Sequence, residues 1–300
     1  MKQDVSPASR PLDGAATALA IVLCLSWGFN QVAIKLALPD IPPLIQAAFR
    51  STIGALIVIV WARSRGVRLM EADGTLLPGL VAGALFALEF ILIFRGLIWT
   101  NASRASLFIY SAPFFVVIGS RWLIPGDRFD RWQWLGLLLS FAGLAVAFGV
   151  PVPGADTRAL LGDLMLLGAG AAWGATTLVV KASALARSSF EKTLLYQLIV
   201  SAPVLALSAE LFGERVAGTP SALAMGSLLY QTFWVVGVTY LAWFALILRY
   251  SASRLSAFTF LTPIFGVAAG HLVLGDPLTP GFILAAVLVV GGLVLVNRPR

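Results

Sequence analysis

Apolar residues run along this chain in long blocks, without the two-residue alternation of half-buried strands. A helix needs about 20 such residues to cross the hydrocarbon core of a bilayer. Blocks on that scale fall near residues 17–38, 44–62, 76–98, 103–124 and 132–150. After the linker Val150-Pro151-Val152-Pro153-Gly154, five more fall near 161–184, 192–212, 223–248, 254–274 and 279–297. The pattern predicts an all-α integral membrane protein of ten transmembrane helices. The first block follows a polar stretch bearing Lys2 and Arg10 and lacks a small-residue cleavage site. It is too long for a signal-peptide core and reads as a retained span.

Composition sharpens this reading. Of 300 residues 59% are hydrophobic and 12% charged, with a mean hydropathy of +0.91; a soluble domain carries about 25% charged residues. A water-soluble chain of this kind would expose far more apolar surface than soluble monomers carry. One cysteine, Cys24, and one histidine, His271, exclude a disulfide framework and a Cys- or His-rich metal site. No metal and no cofactor are expected.

The net charge of +7 raises the question of nucleic acid, and its distribution answers it. With the N-terminus inside, the even-numbered connections and both tails hold fourteen Lys and Arg, against Arg104, Arg158 and Arg215 on the other side. Lys35, Arg50, Arg95 and Lys181 fall within spans. Positive charge collects on the cytoplasmic side of membrane proteins, so both termini are expected in the cytoplasm and no nucleic-acid partner is needed. Trp61, Trp99, Trp122, Trp132 and Trp134 fall at span ends, where indoles favour the headgroup level. Trp27, Trp173, Trp234 and Trp243 do not.

The two sets of blocks echo one another. Trp27-Gly28 followed by Lys35 matches Trp173-Gly174 followed by Lys181. Ala102-Ser103-Arg104-x-Ser106 and then Pro113 match Ala252-Ser253-Arg254-x-Ser256 and then Pro263. Gly126-Asp127 matches Gly275-Asp276, and Gly143-Leu144 matches Gly292-Leu293, all at offsets of 146 to 150 residues. A repeated unit with an odd number of spans enters the membrane from opposite sides in its two copies. The expectation is a pair of inverted repeats, residues 16–150 and 160–297, around a central cavity.

These motifs resemble the EamA-type transporters of the drug/metabolite superfamily over residues 16–297. The aromatic-rich interior spans resemble most the YddG-type aromatic amino-acid exporters. The resemblance implies that the first, third and fourth helices of each repeat enclose the cavity, with the fifth and tenth peripheral. It also implies export.

Trp27 and Trp173 lie about ten and twelve residues into their spans, near the bilayer centre at 1.5 Å per residue. Packing through Gly170-x-x-x-Gly174 and a cavity wall beside Asn30 and Gln31 are both open readings. Phe86, Glu89, Phe90 and Phe94 share one broad side of span 3; Phe233, Tyr240 and Phe244 form a similar stripe on span 8, with Trp243 beside it. The resemblance places both stripes on the substrate path, and Tyr110 of span 4 joins the candidate set.

Glu89 is the one carboxylate deep in a predicted span, where ionisable groups are costly and functional by default. It either pairs structurally with Arg50, at similar depth in span 2, or holds a substrate ammonium or a coupling proton. Lys35 and Lys181 either snorkel to the interface or attract a carboxylate; His271 is read as structural. Pro113 and Pro263 each remove a helical hydrogen bond and are candidate hinges. The expected function is alternating-access export of small amphipathic solutes, aromatic or hydrophobic amino acids foremost, by a multi-pass inner-membrane protein. A multidrug or other metabolite carrier of the same superfamily is the alternative, and a membrane-embedded enzyme is a different class without support from any metal cluster, paired carboxylates or phosphate loop. The implied partners are the substrate and the lipid bilayer. The chain is expected as a monomer or weak homodimer, and the Gly136/Ser140/Gly143 face permits helix contacts.

Overall fold

The computed structural model describes residues 12–99, 107–148, 157–275, 278 and 281–298. Helices account for nearly all of them, and no strand occurs among the described residues. They run α1 Gly14–Ala37, α2 Pro43–Ser64, α3 Leu76–Gly96, α4 Leu107–Leu123, α5 Arg131–Phe148, α6 Thr157–Ala182, α7 Phe190–Leu211, α8 Ala222–Arg249, α9 Ala252–Leu274 and α10 Phe282–Asn297. Seven of these are long and apolar enough to cross a membrane; α4 and α10 are shorter apolar helices.

Starts are set by short polar side chains. Asp13 accepts from the Ala16 amide at 2.8 Å, and Ser189, Ser221 and Ser251 cap α7, α8 and α9 in the same manner. The Pro42-Pro43 entry to α2 has no such side chain. There Glu214, in the connection after α7, accepts from the Leu44 and Ile45 amides at 3.0 and 3.2 Å.

Where both helix faces meet apolar surroundings, hydrophobicity alone does not pair helices; close backbone approach does. Glycine supplies it here. A Cβ on Gly136 of α5 would lie 2.5 Å from the Gly292 carbonyl of α10, and one on Gly143 would lie 2.8 Å from that of Ala285. Ser140 donates across the same seam to the Val289 carbonyl at 3.3 Å. The Gly136/Ser140/Gly143 face, expected to permit helix contacts, meets α10 within the molecule. Gly28 brings α1 onto α9, Gly54 brings α2 onto α8, Gly83 brings α3 onto α7, and Gly170 with Gly174 brings α6 onto α4. The main packing pairs are α5–α10, α3–α6, α2–α7, α1–α9, α3–α7, α4–α6, α1–α8 and α2–α8.

Polarity is arranged inside-out relative to a soluble protein. Leu272 and Ile283 are 82% and 75% exposed, while Gln46, Gln133, Gln197 and Gln231 are buried. Gln231 donates to Gln46 at 2.9 Å, and Gln46 donates to the Ile41 carbonyl, which satisfies the Gln46 amide between α2 and α8 while the Gln231 Oε1 stays unpartnered.

Polar contacts at the helix ends sort the connections into two groups. Asp13 accepts from Tyr250, Asp127 from Ser251 and the Ser253 amide, and Lys192 meets Asp73 at 2.9 Å. These tie the even-numbered connections and the segment before α1 to one end of the bundle. Asp40 accepts from the Ser221 amide and Arg95 lies over Phe212 at 4.1 Å, joining odd-numbered connections at the other.

Candidate functional site

Helix α8 departs from regular winding. Between Ala222–Leu229 and Leu241–Arg249 its backbone winds as a π-helix over Tyr230–Tyr240, a rare form that recurs at functional sites. The wider turn presents Thr239 and Tyr240 to α1. Trp27 of α1 donates through Nε1 to the Thr239 hydroxyl at 2.8 Å, and that hydroxyl donates on to the Val235 carbonyl at 2.6 Å. The Trp27 ring then meets Trp243 edge-on at 5.0 Å and Tyr240 at 6.1 Å.

The rings continue onto α3. Tyr240 meets Phe86 at 6.2 Å, Phe86 meets Phe90 at 5.0 Å, and Phe90 meets Phe94 at 6.1 Å. Each edge-to-face pair contributes about 0.5–1.5 kcal/mol beyond area burial. A wall of six aromatic rings thus joins three helices. On α4 and α6 a second pair, Tyr110 and Trp173, meets at 5.8 Å. Trp173 is half-buried, and its Nε1–H makes no hydrogen bond to the described residues.

Glu89 is within electrostatic reach of Tyr240 in the wall, of Tyr110 in the second pair and of Arg50. The direct Glu89–Arg50 ion pair expected as one reading does not form among the described residues. Instead the Arg50 guanidinium sits over the Phe90 ring, its Cζ 4.8 Å from the centroid. A cation over an aromatic face gains roughly 2 kcal/mol when desolvated, which favours this stacked placement of the guanidinium.

The remaining sequence candidates scatter. Phe244 is buried in the same core as Trp243. Phe233 keeps 53% of its surface exposed and enters none of the ring pairs found among the described residues, so the span 8 stripe divides at the π-turn. Asn30 is buried with its Oδ1 unpartnered, whereas neighbouring Gln31 is exposed. Lys35 and Lys181 do not behave alike: Lys35 is exposed and fits snorkelling, while Lys181 is buried with Nζ lacking a hydrogen bond. His271 is exposed. Pro113 and Pro263 lie at internal changes of winding within α4 and α9. Each stands in the first turn of a helical segment, Ala112–Leu123 and Leu261–Leu274, just after a turn at Tyr110-Ser111 or a 3-10 turn at Phe258–Phe260. In that place the missing N–H is an orphan in any case. The proline inside a helix is Pro203 of α7.

Two open spaces lie away from the aromatic wall. One groove of about 400 Å³ runs along α2 beside Ile57 and Trp61; another of about 320 Å³ lies at the α2–α7 end beside Glu210, Glu214 and Arg215. Sequence reasoning missed Thr239, the acceptor that fixes Trp27. It stands 150 residues after Glu89, an offset within the range of the other matched pairs, which is the one signal that marks it.

Comparison with known proteins fits this arrangement. An uncharacterized transporter of Bacillus subtilis, YvbV, is 30% identical over 296 residues, 96% of this chain and 93% of its own. A protein of Salmonella typhimurium named a probable amino-acid metabolite efflux pump is 29% identical, with 92% of each chain covered. Its Escherichia coli namesake is 28% identical over 92% of each. One solved crystal structure superposes with a TM-score of 0.80 at 20% identity, covering 95% of this chain and 96% of that one, a likeness of fold. The model of the EamA-like transporter family matches residues 15–149 and again 160–298, and the chain belongs to that family.

Proposed function

We propose that this chain exports small amphipathic solutes, aromatic and hydrophobic amino acids foremost, by alternating access across the inner membrane. The observation that carries the reading is the aromatic wall of α1, α3 and α8, with Glu89 within electrostatic reach both of Tyr240 in that wall and of Tyr110 in the Tyr110–Trp173 pair. Flat apolar side chains stack well between such rings, and the polar end of an amino acid finds a charged group beside them. Membership in a transporter family and relatives named as amino-acid metabolite efflux pumps support the choice of solute.

In this reading all ten helices cross the membrane as two inverted five-helix repeats, residues 16–150 and 160–297. Support comes from the double match of the family model and from the packing pairs. Each pair has its counterpart five helices on: α1–α9 with α6–α4, α3–α6 with α8–α1, and α3–α7 with α8–α2. The sequence bias of fourteen Lys and Arg in the even-numbered connections and tails supports cytoplasmic termini in this reading. Trp27, Asn30, Phe86, Glu89, Phe90, Tyr110, Trp173, Tyr240, Trp243 and Phe244 then surround the path, with Gln31 and Phe233 at its margin. The turns before Pro113 and Pro263 let α4 and α9 bend as hinges.

Purified protein in liposomes tests this. Vesicles loaded with unlabelled tryptophan, phenylalanine or leucine are expected to accumulate the labelled amino acid transiently, with saturation. Linear, unsaturable flux would mark a channel instead, and counterflow of other metabolites or drugs without amino acids would move the substrate elsewhere in the superfamily.

A further inference from the structure

Arg50 is 4% exposed, and no hydrogen bond or ion pair engages its guanidinium; the Phe90 ring beneath it is its one contact of that kind. Leaving a buried guanidinium without an anion is costly, more so at membrane depth. Glu89, next in sequence to the ring that supports Arg50, is partly exposed and likewise has no hydrogen bond or direct ion pair. Two opposite charges therefore stand within electrostatic reach of one another yet do not touch.

In a low-dielectric interior they would gain by closing together. The packing opposes this: Phe86, Phe90 and Phe94 stack in sequence on α3, and Arg50 is held on the middle ring. A free cation and a free anion within electrostatic reach of one another are both satisfied by a ligand that carries the two complementary charges. A monovalent ligand satisfies one side and leaves the other buried and unpaired.

We infer that Arg50 and Glu89 form a clamp for a zwitterion, with Arg50 receiving the α-carboxylate and Glu89 the α-ammonium of an amino acid whose side chain enters the aromatic wall. Arg50 thereby becomes the residue that selects amino acids against amines and organic acids of the same shape. The planar guanidinium fork matches a carboxylate in bidentate geometry, which a lysine does not reproduce. This inference rests on the amino-acid reading above and names the chemistry by which it is achieved.

Wild-type protein in liposomes counterflowing labelled tryptophan is challenged with tryptamine, which lacks the carboxylate, and with indole-3-propionate, which lacks the ammonium. Each is expected to compete at least about tenfold more weakly than unlabelled tryptophan, the scale of one lost charge-assisted hydrogen-bond set. Arg50→Lys and Arg50→Gln are expected to raise the half-saturation for tryptophan by about tenfold or more. In Arg50→Gln the preference for tryptophan over tryptamine should shrink to within about twofold. Equal competition by tryptamine in the wild type overturns the clamp and leaves the amino-acid reading intact; so does an unchanged preference in a folded Arg50→Gln protein. Absence of amino-acid counterflow in the wild type overturns both. The competition series needs no variant and stands even where Arg50 variants fail to fold.

Discussion

The two Trp-Gly motifs do different work in the structure. Gly28 and Gly174 are equivalent: a Cβ on either would lie 2.7 Å from the Cβ of a phenylalanine, Phe265 on α9 or Phe115 on α4. Each motif therefore locks its helix to a neighbour. The indoles beside them part company. Trp27 is hydrogen-bonded to Thr239 and flanked by two rings, Tyr240 and Trp243, whereas among the described residues Trp173 has one ring partner, Tyr110, and its N–H has no acceptor. Identical sequence thus supports a fixed wall on one side and an unfilled contact on the other. The difference comes from the partner helices: α8 winds as a π-helix and supplies Thr239, while α3 is regular over the corresponding stretch and supplies Glu89.

The contrast can be broken most severely at the glycines. Gly28→Val forces a side chain against the Phe265 Cβ and the Gly266 backbone amide, neither of which moves cheaply. Overpacking costs about 1–3 kcal/mol or more, and folded yield by size-exclusion chromatography is expected to collapse; Gly14→Val, with open space around it, is the matched control. Next comes Trp27→Ala, which removes a packed indole at a cost of about 3–5 kcal/mol and should lower the thermal midpoint strongly. Trp173→Ala removes a single ring contact and should lower it less.

Thr239→Val keeps the shape and removes the acceptor. The Trp27 N–H is left unpaired at a cost of about 1–3 kcal/mol, so its midpoint should fall between those of wild type and Trp27→Ala. An unchanged midpoint would mean that packing alone holds the indole. The smallest effect is expected at the end that carries the even-numbered connections. Hydrogen bonds from Thr75 and then Lys192 hold the Asp73 carboxyl down at about 2, below its ordinary 3.8. A depressed carboxylate contributes stability that is fully present above 3.8 and lost as pH falls toward 2. Wild type and Asp73→Asn should therefore differ in thermal midpoint at pH 6 and converge as the pH is lowered through that window.

The helices were legible because apolar blocks of bilayer length leave little freedom; no described helix end departs from the predicted one by more than four residues. Gly170 and Gly174 were legible as a contact face for the same reason that small residues recur four apart on one side of a helix. The site was less so. Burial cost marks Glu89 and Arg50 from sequence, but their separation depends on the stacking of Arg50 on Phe90, a rotamer choice no spacing rule records. The π-turn of α8 has no residue signature, so Phe233 was grouped with Tyr240 although the changed winding leaves it on the exposed side. Gly136, Ser140 and Gly143 announced a contact without naming the partner, which proved to be α10.

Counterflow of labelled tryptophan, normalised to folded protein and measured in Trp173→Ala beside the wild type, tests the central claim most directly. The account predicts saturable counterflow by the wild type and its loss in a Trp173→Ala protein that remains folded. Undiminished counterflow with unchanged half-saturation in that variant would contradict it, because Trp173 would then have no part in holding the solute.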